Sequence, residues 1–224
     1  MGECAMRLSI EHKLDEATIA AFYPLYVAAF DPIRTRAAAR HLFSAEEFEA
    51  EMVDERIDKY VLWDANDEAF ALTTVARDLA ALPWISPEYF ATRYPDEVAR
   101  GAVFYLGYTL VDPERAEQGA FQLMSNEVER QCAEARGLLA FDVCAYNDER
   151  SVGRRLRRLG ETGWSLHAVD VQTYYAATFD TATFDTATFD TATFDTATFD
   201  TATFDTATFD TATFDAASPA GGAG

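Results

Sequence analysis

The segment between Thr109 and Gly160 has the residue pattern with the clearest chemical use. An apolar run ends at Val111, Asp112-Pro113 interrupts it, and residues 114–120 (ERAEQGA) then open an amphipathic helix. Successive backbone N–H groups at the start of a helix, reinforced by the helix dipole, bind phosphate oxygens well. The simpler interpretation is an ordinary strand-to-helix connection with a Glu-rich first turn. The loop alone does not decide between the two.

A second pattern follows along the chain. Leu138–Ala145 is apolar enough for a buried strand, Tyr146-Asn147 comes next, and a helix closes at Leu159-Gly160. Together the two patterns resemble the Gcn5-related N-acyltransferase (GNAT) family. In that family the acyl-CoA loop reads V-x-P-x-x-R-G-x-G-x-G/A after the fourth strand, and a later strand ends in Asn before a helix closing at Leu-Gly-Phe. The resemblance implies acetyl-CoA, or another acyl-CoA, as the cofactor.

The resemblance also assigns residues to that cofactor, with backbone amides of the loop holding the pyrophosphate. The family usually has glycine where this chain has Ala116 and Gln118, and Gly119 falls one place out of register. Arg115 keeps the position of the family's arginine and is expected to meet a phosphate as a charged donor. The implied cofactor residues are Leu110, Val111, Arg115, Ala116, Glu117, Gln118, Gly119, Ala120 and Asn147.

Catalysis by such a protein needs a base for the substrate ammonium and often an acid for the departing thiolate. Many family members carry the acid as a tyrosine in the helix after the Asn strand, and this chain has no tyrosine between Asn147 and Gly160. The catalytic candidates on the central strands are Asp142, Tyr105 and Tyr108. Strand alternation places Tyr105 and Tyr108 on opposite faces, so we expect at most one of them to face the cleft.

An aromatic insert, residues 82–94 (LPWISPEYFATRY), lies between the third and fourth predicted strands. The resemblance places this insert near the acceptor cleft, where Trp84 and Tyr89 are candidates for binding the substrate. The alternative is a loop that buries its aromatic side chains in the core. Both interpretations stay open for these two residues.

Helix starts and ends are predicted from the capping residues. Asp15 can accept from the first amides of a helix that Asp31-Pro32 ends. Ser44-Ala45-Glu46-Glu47 has the form of a capping box, in which Ser44 and Glu47 each satisfy a backbone amide of the other. A helix is therefore expected from about Ser44 to Asp54.

The strands that position the chemistry follow from changes in periodicity. Runs at 59–64 and 69–77 flank a hairpin turn at 65–67, and an alternating run at Ser165–Tyr175 is predicted as the last strand. The resulting order, β-α-α-β-β-β-α-β-α-β, predicts an α/β fold. We expect a GNAT-like mixed sheet with helices on both faces.

The composition of the chain limits which classes of partner and which cell compartment are expected. The chain has 224 residues and a formal net charge of −20, of which the C-terminal aspartates supply eight charges and the body about −12. This balance argues against binding nucleic acid or an anionic membrane, and it fits solubility or a basic partner. Three cysteines without paired spacing predict neither disulfides nor a metal site and favour the reducing cytoplasm. No signal peptide or membrane span is recognisable.

The C-terminal part repeats one five-residue unit, Ala-Thr-Phe-Asp-Thr, with Phe at every fifth position from Phe179 to Phe214. A period of five gives no stripe on an α-helix and no single face on a strand. The unit resembles pentapeptide repeats, each of which forms one side of a four-sided β-helix; the alternative is a disordered low-complexity expansion. The predicted domains are 1–175 (GNAT-like acyltransferase domain), 176–215 (pentapeptide-repeat tail) and 216–224 (flexible terminus).

Two functions from different classes follow. The first is an acyl-CoA-dependent N-acyltransferase, most simply an acetyltransferase, that acts on a small amine or amino acid; an oligomer is compatible with it. The second is a non-catalytic GNAT-like binding or assembly module with the repeat tail as its interaction element. Gln118 and the missing tyrosine favour the second, whereas the element order and Arg115 favour the first.

Overall fold

The computed structural model describes residues 6–38, 42–150, 166–174 and 176. The strands are β1 (Arg7–Glu11), β2 (Ile57–Trp63), β3 (Ala69–Ala76), β4 (Val103–Val111) and β5 (Leu138–Ala140). The helices are α1 (Glu16–Phe30), α2 (Ala45–Val53), α3 (Pro87–Arg93), α4 (Pro95–Ala99), α5 (Ala120–Glu134) and α6 (Ala145–Arg150). Short 3-10 turns cover Asp31–Ile33, Leu79–Ala81 and Pro113–Gln118.

The strands form one mixed sheet in the order β1-β2-β3-β4-β5. The first four strands are antiparallel neighbours, and β5 lies parallel to β4. A parallel neighbour requires a crossover connection, which α5 provides. The predicted α/β fold, a mixed sheet with helices on both faces, is confirmed.

The two faces of the sheet bury different helices. On the α1–α2 face, Phe22 and Phe48 pack against strand residues such as Val61. On the α5 face, Met124 packs against Leu62, the next residue along β2. This alternation with period two means that a single strand contributes to both cores.

The predicted helix caps are confirmed, and they determine where α1 and α2 begin. Asp15 Oδ1 accepts from the backbone N–H of Thr18 at 2.8 Å at the start of α1. At α2, Ser44 Oγ accepts from the Glu47 N–H at 3.2 Å while Glu47 Oε2 accepts from the Ser44 N–H at 2.8 Å. Helix α1 ends at Phe30, directly before Asp31-Pro32 as expected.

A β-bulge in β4 changes which side chains share a face. Thr109 pairs with Thr73 and Leu106 pairs with Val75, so β4 has one residue more than β3 between these pairs. The extra residue reverses the alternation. Tyr105 and Tyr108 therefore both lie on the α1–α2 face, and the expectation that they occupy opposite faces is wrong.

Strand β5 is shorter than predicted and α6 begins earlier. The strand ends at Ala140 instead of Ala145, because the chain then leaves β4 and turns into a helix. The N–H groups of Asn147 and Asp148 both donate to Cys144 O, at 2.9 and 3.0 Å, and close the first helical turn. Asn147 thus lies inside a helix and not at the end of a strand.

The predicted last strand is not formed where the structure describes it, in residues 166–174. This segment is largely exposed and contacts α3 instead of extending a ladder: Tyr89 Oη donates to Val169 O at 2.6 Å. The predicted helix as far as Leu159, the repeat tail and the terminus 216–224 lie outside the described residues. None of the helices in the described ranges combines the length and the apolar character needed to cross a membrane.

Candidate active site

The strands β4 and β5 diverge at the centre of the candidate site. Their parallel ladder joins Val103 with Leu138, and within the described chain it ends at the pair Tyr105–Ala140. Strand β4 continues to Val111, whereas the chain beyond Ala140 turns away towards α6. Because backbone N–H and C=O groups need partners, the edge of β4 beyond Tyr105 is suited to pairing with an extended ligand.

Tyr105 and Asp142 meet where the strands separate. Tyr105 Oη donates to Asp142 Oδ1 at 2.6 Å. The tyrosine is almost fully buried, while the aspartate is exposed. Two of the three predicted catalytic residues are therefore brought together, and their hydrogen bond links β4 to the segment that leaves it.

Tyr108 lies on the same face but in a different environment. The centre of its ring is 5.2 Å from the ring centre of Tyr26 and 6.4 Å from the ring centre of Phe48. Its hydroxyl is buried and makes no hydrogen bond of ordinary length and angle. Burial, together with the neighbouring charge of Glu51, raises the pKa of the phenol well above its usual range. Tyr108 is therefore a neutral phenol, and the polar group that interacts with it is the Glu51 carboxyl.

Glu51 on α2 is the residue that the sequence reasoning missed. Burial raises the pKa of its carboxyl to about 7, and Tyr108, Lys59 and Thr74 offset that effect only in part. Thr74 Oγ1 also accepts from the Tyr108 backbone N–H at 3.3 Å, which ties the bulge to β3. A carboxyl with a pKa near 7 can exchange a proton at neutral pH.

The sequence did contain a signal for Glu51. Phe48 and Met52, four residues apart, are the buried residues of α2, and Glu51 follows Phe48 by three positions. Residues three and four apart share a helix face, so a glutamate at this position points towards the core. The same rule also fits Glu49, three positions before Met52, so the spacing marks two candidates and only the packing separates Glu51 from the exposed Glu49.

Lys59 lies beneath the same cluster and is fully buried. Its Nζ donates to Asp54 O at 2.7 Å and to His12 O at 3.0 Å, which ties the end of α2 and the segment after β1 to the sheet. Burial lowers the pKa of this amine to about 8, and the charges of Asp54 and Glu51 oppose the shift. An acid and a base whose pKa values are displaced towards each other are typical of functional sites.

The predicted cofactor loop is a 3-10 turn, Pro113–Gln118, that leads into α5. Gly119, at the N-cap position, has φ +77°, a conformation that favours glycine. The glycine that was out of register with the family pattern is thus the one that turns the chain into the helix. The backbone of Ala116, Glu117 and Gln118 lies in the turn itself, and Ala120 is the first residue of α5. The first N–H groups of α5 are of the kind that bind phosphate.

Arg115 is already surrounded by carboxylates. It contacts Asp64 Oδ2 at 2.8 Å and Glu68 Oε2 at 3.1 Å, and its guanidinium lies 5.4 Å from the centre of the Phe70 ring. Asp112 Oδ2 lies 3.7 Å away. The arginine therefore anchors the loop to the β2–β3 turn. The Arg115 charge is largely balanced by the protein itself, so backbone amides are the groups of this loop that would hold an acyl-CoA pyrophosphate.

The remaining predicted cofactor residues are spread over three places. Leu110 is buried on the α1–α2 face, and Val111 packs on the α5 face. Asn147 lies in α6, so no strand next to β4 carries it, contrary to the prediction. Their contacts with a cofactor stay predictions.

The two predicted acceptor-binding residues, Trp84 and Tyr89, differ in their exposure and in their contacts. Trp84 is 50% exposed, and its ring centre is 6.3 Å from that of Phe43. Tyr89 packs edge-on against Phe90 at 5.5 Å and donates its hydroxyl hydrogen to the 166–174 segment. Trp84 is therefore available to a ligand, and Tyr89 has a structural task in addition to any binding role.

Helix α6 does carry a tyrosine. Arg36 Nη1 donates to Tyr146 Oη at 2.8 Å, and the guanidinium lies 4.9 Å from the ring centre. From sequence, Tyr146 was predicted to end a strand, so it was not among the candidates for an acid in the following helix. Among the described residues, no three His, Cys, Asp or Glu side chains are grouped so that they could hold a metal ion.

No protein-family model and no curated protein matches this chain. Several solved structures are similar to this chain in fold. An aminoglycoside acetyltransferase from an uncultured soil metagenomic sample is 12% identical, covering 77% of this chain and 97% of its own, with a TM-score of 0.44. The ribosomal-protein-alanine N-acetyltransferase of Brucella melitensis is 14% identical, covering 78% and 100%, with a TM-score of 0.44. A Trypanosoma brucei acetyltransferase is 13% identical, covering 76% and 100%, with a TM-score of 0.45. At this level of similarity, the case for function rests on the residues of this chain.

Proposed function

We propose that this protein is an acyl-CoA-dependent N-acyltransferase, in the simplest case an acetyltransferase, that acts on a small amine. The observation that carries the proposal is the Glu51 carboxyl with its pKa of about 7. It interacts with Tyr108, which belongs to the part of β4 that lies beyond the ladder with β5. A base is thus present beside an edge of β4 that, among the described residues, has no strand paired to it beyond Tyr105.

Glu51 suits an amine acceptor because it must be ionised when it takes the proton and must hold the proton afterwards. A base whose pKa lies near the working pH does both. Acyl-CoA supplies a thioester carbonyl that an amine can attack directly. Glu51 takes the proton that the amine loses as the amide bond forms, and Tyr146, oriented by Arg36, holds a proton for the thiolate that leaves.

The chain offers two groups of backbone donors to the acyl-CoA. The edge of β4 beyond Tyr105 faces the divergence from β5, and the first amides of α5 follow Gly119. The helix dipole adds to the second group. The net charge of −20 supports the other half of the proposal, because a strongly acidic protein attracts a cationic amine more readily than an anionic acceptor.

Calorimetric titration with acetyl-CoA tests cofactor binding. We expect saturable heat with the intact protein and a weaker affinity for Gly119→Ala, because alanine is strained at φ +77°. Leu123→Ala, on the exposed surface of α5, is the matched control and should bind like the unaltered protein. If the unaltered protein gives no heat at high micromolar acetyl-CoA, the acyltransferase proposal is wrong.

One observation favours the second candidate, a binding module without catalysis. Arg115 is engaged by Asp64 and Glu68, so the loop is less positive than a dedicated phosphate site. If acetyl-CoA does not bind, this loop is a structural connection between the hairpin and α5. Arg115→Gln should then lower the free energy of unfolding, while acetyl-CoA gives no heat with either protein.

A further inference from the structure

Among the described residues, Tyr105 is the point of β4 at which the ladders to both neighbouring strands meet. It pairs with Ala76 of β3 on one side and with Ala140 of β5 on the other. Only 3% of its surface is exposed, and its side chain belongs to the same hydrophobic cluster as Phe90. Because the backbone is paired on both sides and the ring is closely packed, the Tyr105 hydroxyl is held at a fixed place.

This hydroxyl holds the chain that leaves β4. Tyr105 Oη donates to Asp142 Oδ1 at 2.6 Å, and so short a bond from a hydroxyl to a carboxylate is among the stronger hydrogen bonds in proteins. At the start of β5, the Leu138 N–H donates to Ala102 O at 2.9 Å. Asp142 comes two residues after Ala140, the end of the parallel ladder. The side-chain bond therefore attaches the chain to β4 at a point where the backbone ladder has already ended.

The attached segment leads directly into α6. Cys144, two residues after Asp142, supplies the carbonyl that closes the first turn of this helix. Tyr146 lies in that turn, and its Oη accepts from Arg36 Nη1 at 2.8 Å. The place of Tyr146 therefore depends on two contacts. Arg36 holds its hydroxyl, and the start of α6 holds its backbone.

We propose that Tyr105 and Asp142 are positioning residues for Tyr146, and that their hydrogen bond sets the distance between β4 and the first turn of α6. The inference rests on the proposed function, in which Tyr146 holds a proton for the departing thiolate. Tyr105 and Asp142 thus act through Tyr146 and exchange no proton with the substrate. A misplacement of about 1 Å can cost a reaction up to about 100-fold in rate, so a bond away from the reacting atoms can affect catalysis.

The first test measures acetyl transfer to a primary amine at saturating acetyl-CoA. Tyr105→Phe and Asp142→Ala remove the hydrogen bond, and kcat should fall about 10-fold in each. Asp142→Asn keeps an oxygen that can accept the bond, so it should retain most of kcat. The KM for the amine and the pH dependence of kcat/KM should stay unchanged, because Glu51 is not altered. The matched control is Tyr94→Phe, which removes a hydroxyl beside the same hydrophobic cluster and should keep kcat.

The second test follows Tyr146 without any substrate, by carbon-13 NMR of protein with ring-labelled tyrosine. The Cζ signal of Tyr146 is assigned by its loss in Tyr146→Phe. It should move in Tyr105→Phe and Asp142→Ala, because the ring shifts relative to the Arg36 guanidinium, which lies 4.9 Å from the ring centre. In Asp142→Asn the signal should return close to its original place, and Tyr94→Phe should not move it.

The two measurements separate the inference from the proposed function. If the Tyr146 signal stays in place in Tyr105→Phe, the positioning role is wrong, and an intact protein that transfers acetyl groups is still an acyltransferase. An unchanged kcat in Tyr105→Phe, or a further loss when this change is added to Tyr146→Phe, also overturns the inference. If the signal moves as expected and the intact protein acetylates no amine, the bond does position Tyr146 and the acyltransferase function is wrong.

Discussion

Glu51 and Lys59 show how one buried cluster displaces two proton affinities in opposite directions. Burial disfavours the charged form of each, so the pKa of the carboxyl rises to about 7 and that of the amine falls to about 8. Their mutual attraction opposes both shifts without cancelling them. Neither residue was singled out from the sequence, because a glutamate in an acidic helix and a lysine in a strand acquire these properties only through long-range packing.

The raised pKa of Glu51 predicts a pH-dependent loss of stability. The folded protein binds this proton more tightly than the unfolded chain, whose carboxyl has a value near 4.5. The contribution is therefore complete below about pH 4.5 and is lost as the pH rises through 7, up to roughly 3 kcal/mol. In urea denaturation, Glu51→Gln should lack this fall in the free energy of unfolding between pH 5 and 8. The exposed Glu49→Gln should retain it; equal behaviour of the two variants contradicts the prediction.

Lys59→Met should raise the pKa of Glu51 above 7, because the lysine charge is one of the influences that lower it. It should also destabilise the fold by about 1–3 kcal/mol, since His12 O and Asp54 O lose their donor. The pKa is measured from the carbon-13 shift of the Glu51 carboxyl. The control is Lys13→Met, which removes an exposed lysine. A Glu51 midpoint that stays in place or falls speaks against the coupling.

At the scale of elements, the bulge in β4 determines the composition of the site. The alternation of β4 predicted that one of Tyr105 and Tyr108 would face away, and a single extra residue places both on the α1–α2 face. Gly107 lies at this bulge, where a Cβ atom would be 2.5 Å from Thr74 Oγ1. Glycine permits the close approach of β3 and β4 here, and the nearby Thr74 hydroxyl accepts from the Tyr108 N–H.

Gly107→Ala should therefore destabilise the protein by about 1–3 kcal/mol, because the methyl group has no space beside Thr74. Thr74→Ala removes the obstructing hydroxyl. The double variant should thus lose less stability than the two single losses added together. Urea denaturation of the four proteins measures this coupling, and simple additivity would show that the contact does not constrain the bulge.

The local elements were predictable, whereas their irregularities were not. The caps at Asp15 and Ser44 depend on neighbouring residues and could be recognised from sequence alone. The early end of β5 could not, because the apolar run continues to Ala145 while the chain leaves β4 after Ala140. Because β5 ends early, Tyr146 lies in α6, whereas the sequence predicted it at the end of a strand and therefore not as a candidate acid. Strand ends depend on which partner is present, and this is information that alternation does not contain.

At the scale of the molecule, the described hydrophobic clusters consist of residues between Met6 and Ala140. The cluster around Glu51 depends on four parts of that range, namely α2, β2, β3 and β4. Glu51 and Tyr108 are far apart in sequence and meet only because the sheet places β4 beneath α2. Composition indicated an acidic protein with one core, but it gave no information about the contact between Glu51 and Tyr108.

Truncation after Tyr175 should leave the body intact, because the retained chain still includes Val169, which accepts from Tyr89. We expect the thermal midpoint to change by less than about 2 °C and acetyl-CoA affinity to stay the same. Calorimetry of the full and truncated chains checks both. A large fall in either quantity would mean that the repeat contributes to the body. The circular dichroism difference between the two chains tests the β-helix against the disordered alternative.

The most direct test of the account is the pH dependence of acetyl transfer by the intact protein, Glu51→Gln and Glu49→Gln. With a primary amine acceptor, kcat/KM of the intact protein should rise about tenfold per pH unit below pH 7 and level off above it. Glu51→Gln should lose roughly 10²- to 10⁴-fold of the rate and the limb near pH 7, whereas Glu49→Gln keeps both. A Glu51→Gln variant with the rate and pH profile of the intact protein would contradict the central claim that Glu51 is the base.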